Sequence, residues 1–200
     1  MGTPTKTVAA VDEWANVAQN AVREGAVVDV SGLDGAILHI DIALVAAVAH
    51  TGTAIIVQMS SNTSGDEDWT ELTRFIGPTG TPNTENITNN PLTATSTTAT
   101  VANTTGYVAD ETRFIYIKDG TIANSELVFL ISAVTDTSVT WMDGTTNEHA
   151  QTTPFWNIAK TYPITIPWEA NRVRVIIDNT FDPDGAAVDT KTRISKVVGN

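Results

Sequence analysis

Cysteine is missing altogether, and histidine and the basic residues are scarce: three histidines and 11 lysines and arginines in 200 residues. Each shortage excludes something. Without cysteine there is no disulfide, no thiol nucleophile and no zinc–thiolate site. The bases face 23 acids, and a net charge of −12 leaves no basic footprint for a phosphate backbone or an anionic bilayer. The expectation is no direct nucleic-acid binding and no membrane binding. A membrane-spanning run is missing too: the longest apolar stretch, AILHIDIALVAAVA at 36–49, carries His39 and Asp41 and is too short and too polar to cross a bilayer. The opening MGTPTKTVAAVDEW shows no basic start followed by an apolar run, so no signal peptide is expected. No GxSxG, HExxH or phosphate-cradling glycine loop occurs. No catalytic, cofactor-binding or metal-binding residue is therefore assigned.

What the chain does have is threonine, valine and isoleucine, residues that are stiff at the first side-chain torsion and suit a pleated surface. Apolar residues make up 42% of it, enough for a real core. Period-two alternation marks AILHIDIAL (36–44), with Ile37, His39, Asp41 and Ala43 on one face and Leu38, Ile40, Ile42 and Leu44 on the other. Strands are also predicted over AVVDVS (26–31), TAIIVQMSS (53–61), WTELTRFIG (69–77), TYPITIPW (161–168), RVRVIIDN (172–179) and VDTKTRISKVV (188–198). Between these long strands the character changes. GPTGTPNTENITNNP, from Gly77, reads as a polar linker. Shorter strands follow at 97–102, 112–119, 126–134 and 138–142, punctuated by turn residues. The expected architecture is all-β: a jelly-roll-like β-sandwich (26–77 and 155–200), interrupted after its fourth strand by a small β-barrel-like module (78–154). Residues 1–25 fit either a helix, with Val11, Trp14 and Ala21 on one face, or an extended arm; glycine, proline and threonine ahead of the run favour the arm.

The run SSNTSGDEDWTEL (60–72) sets Asp66, Glu67 and Asp68 against Trp69. A metal site, a sugar site and a surface turn all remain open for it. Its Ser, Asn, Gly and Asp content favours a hairpin turn, since hard cations need six or more oxygens at defined spacing. DNTFDPDG (178–185) likewise favours a tight turn through Asp182, Pro183, Asp184 and Gly185 over a calcium loop. His39, His50 and His149 lie far apart in sequence. His39 is expected to be packed on its strand, and His50 to anchor its loop through a backbone hydrogen bond. His149 is expected to be a similar anchor. The sequons at Asn62, Asn86 and Asn103 match the glycosylation pattern and are expected to be chance matches.

The stretch TSTTATVANTTGYVADETRFIYIKDGTIANSELVFLISAVTDTSVTWMDGTTNEHA (95–150) resembles a small β-module recurrent in structural proteins of tailed bacteriophages. The pattern is a threonine-rich strand, a TTGY turn, a strand ending in KDG, a strand carrying SEL, a TSVTW.DG hairpin and EHA. The flanks SGLDGAILHIDIAL, AHTGTAIIVQMSSNTSGDEDWTELTRF and ANRVRVIIDNTFDPDG followed by TRISKV resemble an outer β-sandwich of phage virion proteins. The resemblance implies a non-enzymatic virion protein, assembled in the bacterial cytoplasm. Its expected job is that of a capsid decoration or cement subunit that contacts copies of itself, a trimer being favoured, and the major capsid protein. A neck, tail or fibre component is the alternative, and a carbohydrate-binding host-recognition module is a second. Of the five tryptophans, Trp14 on the arm and Trp156 and Trp168 around the return from the module are the candidate interface residues.

Overall fold

The computed structural model describes residues 5–65, 68–107, 114–135, 137–182 and 186–198. The described residues form fifteen strands. Before the middle of the chain come β1 (Thr5–Val17), β2 (Val22–Glu24), β3 (Val28–Asp29), β4 (Gly35–Leu44), β5 (Ala54–Ser60) and β6 (Thr70–Ile76). The middle holds β7 (Thr84–Asn86), β8 (Thr98–Thr100), β9 (Phe114–Ile117), β10 (Glu126–Thr135), β11 (Ser138–Trp141) and β12 (Pro154–Trp156). The chain then returns through β13 (Ala159–Ile166), β14 (Arg172–Asp178) and β15 (Val188–Val198).

The alternation of β4 decides how the first sheet sits. Leu38, Ile40, Ile42 and Leu44 are all fully buried and face Ile55, Val57, Val173, Val175 and Ile177 across the core. The two layers are the sheet β1-β15-β4-β13 and the sheet β2-β14-β5-β6, where β3 extends the β2 edge. Counting β2 and β3 as one, the eight sandwich strands pair first with last, second with seventh, third with sixth and fourth with fifth. A long eight-stranded hairpin rolled into two sheets gives this order, the double Greek key of a jelly roll. The chain is an all-β sandwich, as its composition and periodicity imply.

Between the fifth and sixth of those strands lies a third sheet, β7-β12-β9-β10-β11-β8, built only from the middle of the chain. Its core contains Ile87, Leu92, Val101, Ile115, Ile117, Leu130, Val139, Trp141 and Phe155. The stretch expected to be a polar linker is thus partly core: Ile87 is buried, and β7 adds a sheet edge. One isolated apolar residue among Pro, Gly and Asn gave no periodic signal. Gly106, in the TTGY turn, has φ +90°, and a Cβ there would collide with the Asn83 side chain.

Residues 5–17 differ from both expectations: they are extended, but they pair within a sheet and do not form an arm. β1 pairs antiparallel with β15 from Thr5–Val198 to Val17–Val188. Trp14 is buried within its own chain. Two bulges, between Ala10 and Asp12 and between Asp12 and Ala15, hide the period-two pattern that would have marked a strand.

The acidic run at 60–68 is the β5–β6 connection. Gly65 takes φ +89°, and Asn62 donates to Asp68. Asp66 and Glu67 lie outside the described residues, as do Pro183, Asp184 and Gly185 of the second turn. Trp69 lies on the outer face of its sheet, with the guanidinium carbons of Arg174 and Arg172 at 4.5 and 5.0 Å from its ring centroid. Two cations over one half-buried indole add to its packing. Trp69→Ala is expected to cost about 2 kcal/mol in urea denaturation, and a loss below about 0.5 kcal/mol would show that the cluster holds nothing.

Candidate functional site

The inner-sheet register fixes what the outer face of β1-β15-β4-β13 presents. Residues opposite one another form rows: Val8, Ser195, Ile37 and Thr165; then Ala10, Arg193, His39 and Pro163; then Lys191, Asp41 and Thr161; then Asn16, Asp189, Ala43 and Ala159. The module stands on the last row. There Asp189, fully buried, collects three donors: Asn16 Nδ2 at 2.7 Å, Tyr116 Oη at 2.9 Å and Lys118 Nζ at 3.0 Å. Burial pushes the Tyr116 phenol far above its ordinary range, and the Asp189 charge adds to that, so the hydroxyl stays protonated and donates. Trp14 packs on Tyr116 with centroids 4.5 Å apart. Ala43, Trp156 and Ala159 complete the cluster.

Beside this seam a cleft of about 560 Å³ opens between the sheet and the module. Its floor holds Asp41, Thr161, Lys191 and Arg193, and its far wall carries Glu126, Phe129, Asp143 and Asn147. Arg193 donates twice to Asp41 at 2.9 Å, and Thr161 Oγ1 donates to it at 2.7 Å. Lys191 reaches Glu13 at 2.9 Å. The floor charges are therefore satisfied by one another, and the cleft has no strong net sign on its floor.

Beneath the wall lies a polar cluster of the module. The His149 ring is fully buried. Its Nδ1 lies 3.0 Å from Asp119 and its Nε2 3.0 Å from Glu126. Glu126 also accepts from the Thr146 and Asn147 backbone N–H groups at 2.6 and 2.7 Å, and Ser125 Oγ accepts from the Asp119 N–H at 3.0 Å. Burial works to lower the His149 pKa, but its two carboxylate partners outweigh it and the pKa rises above 6.5. Burial works to raise that of Glu126, yet His149 and the two N–H groups bring it below 4.5. Asp182, in the sandwich, is lowered in the same way: burial opposes, and Thr51 and His50 prevail.

The signs give a pH dependence. His149, raised on folding, stabilises fully below about pH 6.5 and loses its contribution as pH climbs through its folded value. Glu126 and Asp182, lowered on folding, stabilise above the ordinary carboxylate range and lose theirs as pH falls through their folded values. Maximum thermal stability is expected between about pH 4.5 and 6.5, with a decline above pH 7 that His149→Gln flattens. A wild-type melting profile still rising from pH 6 to 9 would contradict the charged pair.

The histidines fall where packing places them. His39 lies 3.0 Å from Ser195 Oγ on β15. His50 anchors its loop twice, through reciprocal backbone bonds with Gly80 and, beyond the expectation, through its ring to Asp182 at 3.0 Å. Of the candidate interface residues, Trp14 and Trp156 come together, buried in the chain's own seam. Trp168 does not join them: β13 runs away from the seam and leaves it 90% exposed at the far end of the sandwich. Sequence reasoning missed Asp189, Asp41 and Arg193. Their signal was the placing of charged residues on the strand face opposite the apolar one. No group of acids and histidines that could hold a metal is present among the described residues.

No family model matches the chain, and no curated protein matches it. Solved structures similar to it include that of infectious bursal disease virus, Gx strain, at 11% identity and a TM-score of 0.26, covering 100% of this chain and 43% of the other. VP17, a capsid protein of bacteriophage P23-77, is similar at 9% identity and a TM-score of 0.21, covering 99% and 98%. The chain thus spans less than half the length of the first of these. Likenesses at such TM-scores carry no argument about role.

Proposed function

We propose that the chain is a non-enzymatic structural subunit of a tailed-bacteriophage virion, placed on the head as a decoration or cement protein. The observation that carries this reading is the use made of the residues behind the phage-module resemblance. Asp119 of KDG, Ser125 and Glu126 of SEL and His149 of EHA bind one another. Tyr107 of TTGY donates to the Phe155 carbonyl at 3.1 Å, and Trp141 of TSVTW fills the core. A histidine flanked by two carboxylates is chemistry that catalysis also uses. Here both ring nitrogens are engaged and the ring is sealed from solvent, so the cluster fastens strands and turns. The jelly roll adds support, since viral capsid domains use that architecture, although a fold alone does not assign a role. Such a subunit works by bridging neighbours in the shell, where many modest contacts add up.

Gold-labelled antibodies against the chain, applied to purified particles of the phage that encodes it, test the reading. Label over the head shell is the expected result. Label confined to the neck, tail or fibres would move the protein to that class, and unlabelled particles would remove it from the virion. A glycan-recognition role has one specific feature in its favour, the exposed ring of Trp168. It requires Trp168→Ala to abolish binding on a glycan array without changing the melting temperature.

A further inference from the structure

The described sheets end in six edges, and five are closed to further strands by their own chemistry. β7, β8 and β2 have three residues each, too few to template a partner. β13 carries Pro163 in its middle, which removes a donor from the ladder. β6 carries exposed Glu71 and Arg74 and lies beside a register shift at Val57/Gln58, two further devices that blunt an edge. The sixth edge is β1, and its two halves differ. From Asp12 on it is bulged, its Asp12 carboxylate bonds Ala26 N–H and Thr192 Oγ1, and Trp14 is covered by the module. Residues 5–10 are different: they pair with β15 in unbroken register, with no proline and no acid. Thr7, Val8, Ala9 and Ala10 are exposed, and Val8 is 58% exposed.

We propose that residues 5–10 of β1 are a self-association edge, on which a second copy of this chain lays the same segment antiparallel across a twofold axis at Val8, so that Val8 faces Val8 and Thr7 faces Ala9. Two four-stranded sheets then become one continuous eight-stranded sheet. A second copy fits this edge for three reasons. An antiparallel strand is its own complement under a twofold, the commonest closed symmetry of soluble oligomers. The side chains paired around the axis, Thr7, Val8 and Ala9, are small and uncharged, so no like charges meet. Val8, 58% exposed, is covered by its own copy, which takes an apolar side chain out of water. A threefold assembly by strand addition would need a second, different open edge on the same subunit, and the other five do not supply one. This association is independent of where the protein sits in a particle.

Sedimentation equilibrium of the wild-type chain at high protein concentration is expected to show a monomer–dimer equilibrium. Val8→Lys, which puts a lysine against its own copy at an already exposed position, is expected to weaken dimerisation at least tenfold and to leave the melting temperature of the monomer unchanged. Val22→Lys, at an equally exposed site on the short β2 edge, is expected to dimerise like wild type. The chain has no native cysteine, so Val8→Cys adds a direct readout: mild oxidation should yield a covalent dimer. A wild-type monomer or trimer, a Val8→Lys variant that dimerises normally, or a Val22→Lys variant that dissociates would each overturn the assignment.

Discussion

Asp189→Ala is expected to cost about 3 kcal/mol, because removing one member of a buried charge network strands the others. Tyr116 and Asn16 would each keep a polar group under the module with its partner gone. Lys118, whose side chain is 30% exposed, can turn to water, which keeps the figure at the low end of the range for such losses. Asp189→Asn retains an oxygen that accepts from Tyr116 and is expected to lose about half as much. Asp34→Ala, an exposed acid on the same sheet's connecting loop, is the control and should stay within about 0.5 kcal/mol of wild type. Urea denaturation of the three variants decides the matter. Equal midpoints for Asp189→Ala and the control would mean that the module rests on the sheet through apolar contact alone.

Trp141→Ala should be still more damaging, at about 4 kcal/mol. The indole is buried, meets Phe155 edge to face at 5.9 Å, and donates from Nε1 to the Ser96 carbonyl at 3.0 Å. Its removal leaves a cavity and an unpaired carbonyl in the same core. The variant also tests whether residues 78–154 fold as a body of their own, as the change of strand style at Gly77 and the self-contained middle sheet imply. In calorimetry the module is expected to melt early, with the sandwich transition kept near its wild-type temperature. One transition, displaced as a whole, would show that sandwich and module unfold together.

The sandwich was legible in the sequence because its strands are long and their inner faces uniform. β4, β5, β6, β14 and β15 lie within a residue or two of their predicted limits, as Leu38, Ile40, Ile42 and Leu44 alternate without a break. Legibility failed where strands are short or bulged. β7 and β12 have three residues each, below the length at which period two can be recognised. β1 is long, but its bulges bring Asp12 and Trp14 out of phase, and the same spacing fits a helical face. The seam was less legible still. Trp14 and Trp156 are 142 positions apart, and only the pairing of β1 with β15 brings them together. The His149 cluster was written in the sequence as three separate short motifs, KDG, SEL and EHA, but nothing in their spacing showed that they converge.

The place of β15 also has a consequence in time. It lies between β1 and β4, so until residues 188–198 have been made β1 has no neighbour in the sheet and β4 has only β13. At the usual rate of synthesis, about 5–20 residues per second, β1 waits many seconds after it leaves the ribosome. The middle sheet has no such delay, since its strands all lie between Thr84 and Trp156. The order of synthesis therefore lets the module form first, while the sheet that carries it remains open at its centre. A nascent chain halted before β15 would expose β4 on one flank and leave β1 without its in-chain partner, in the crowded setting where unpaired strands find one another.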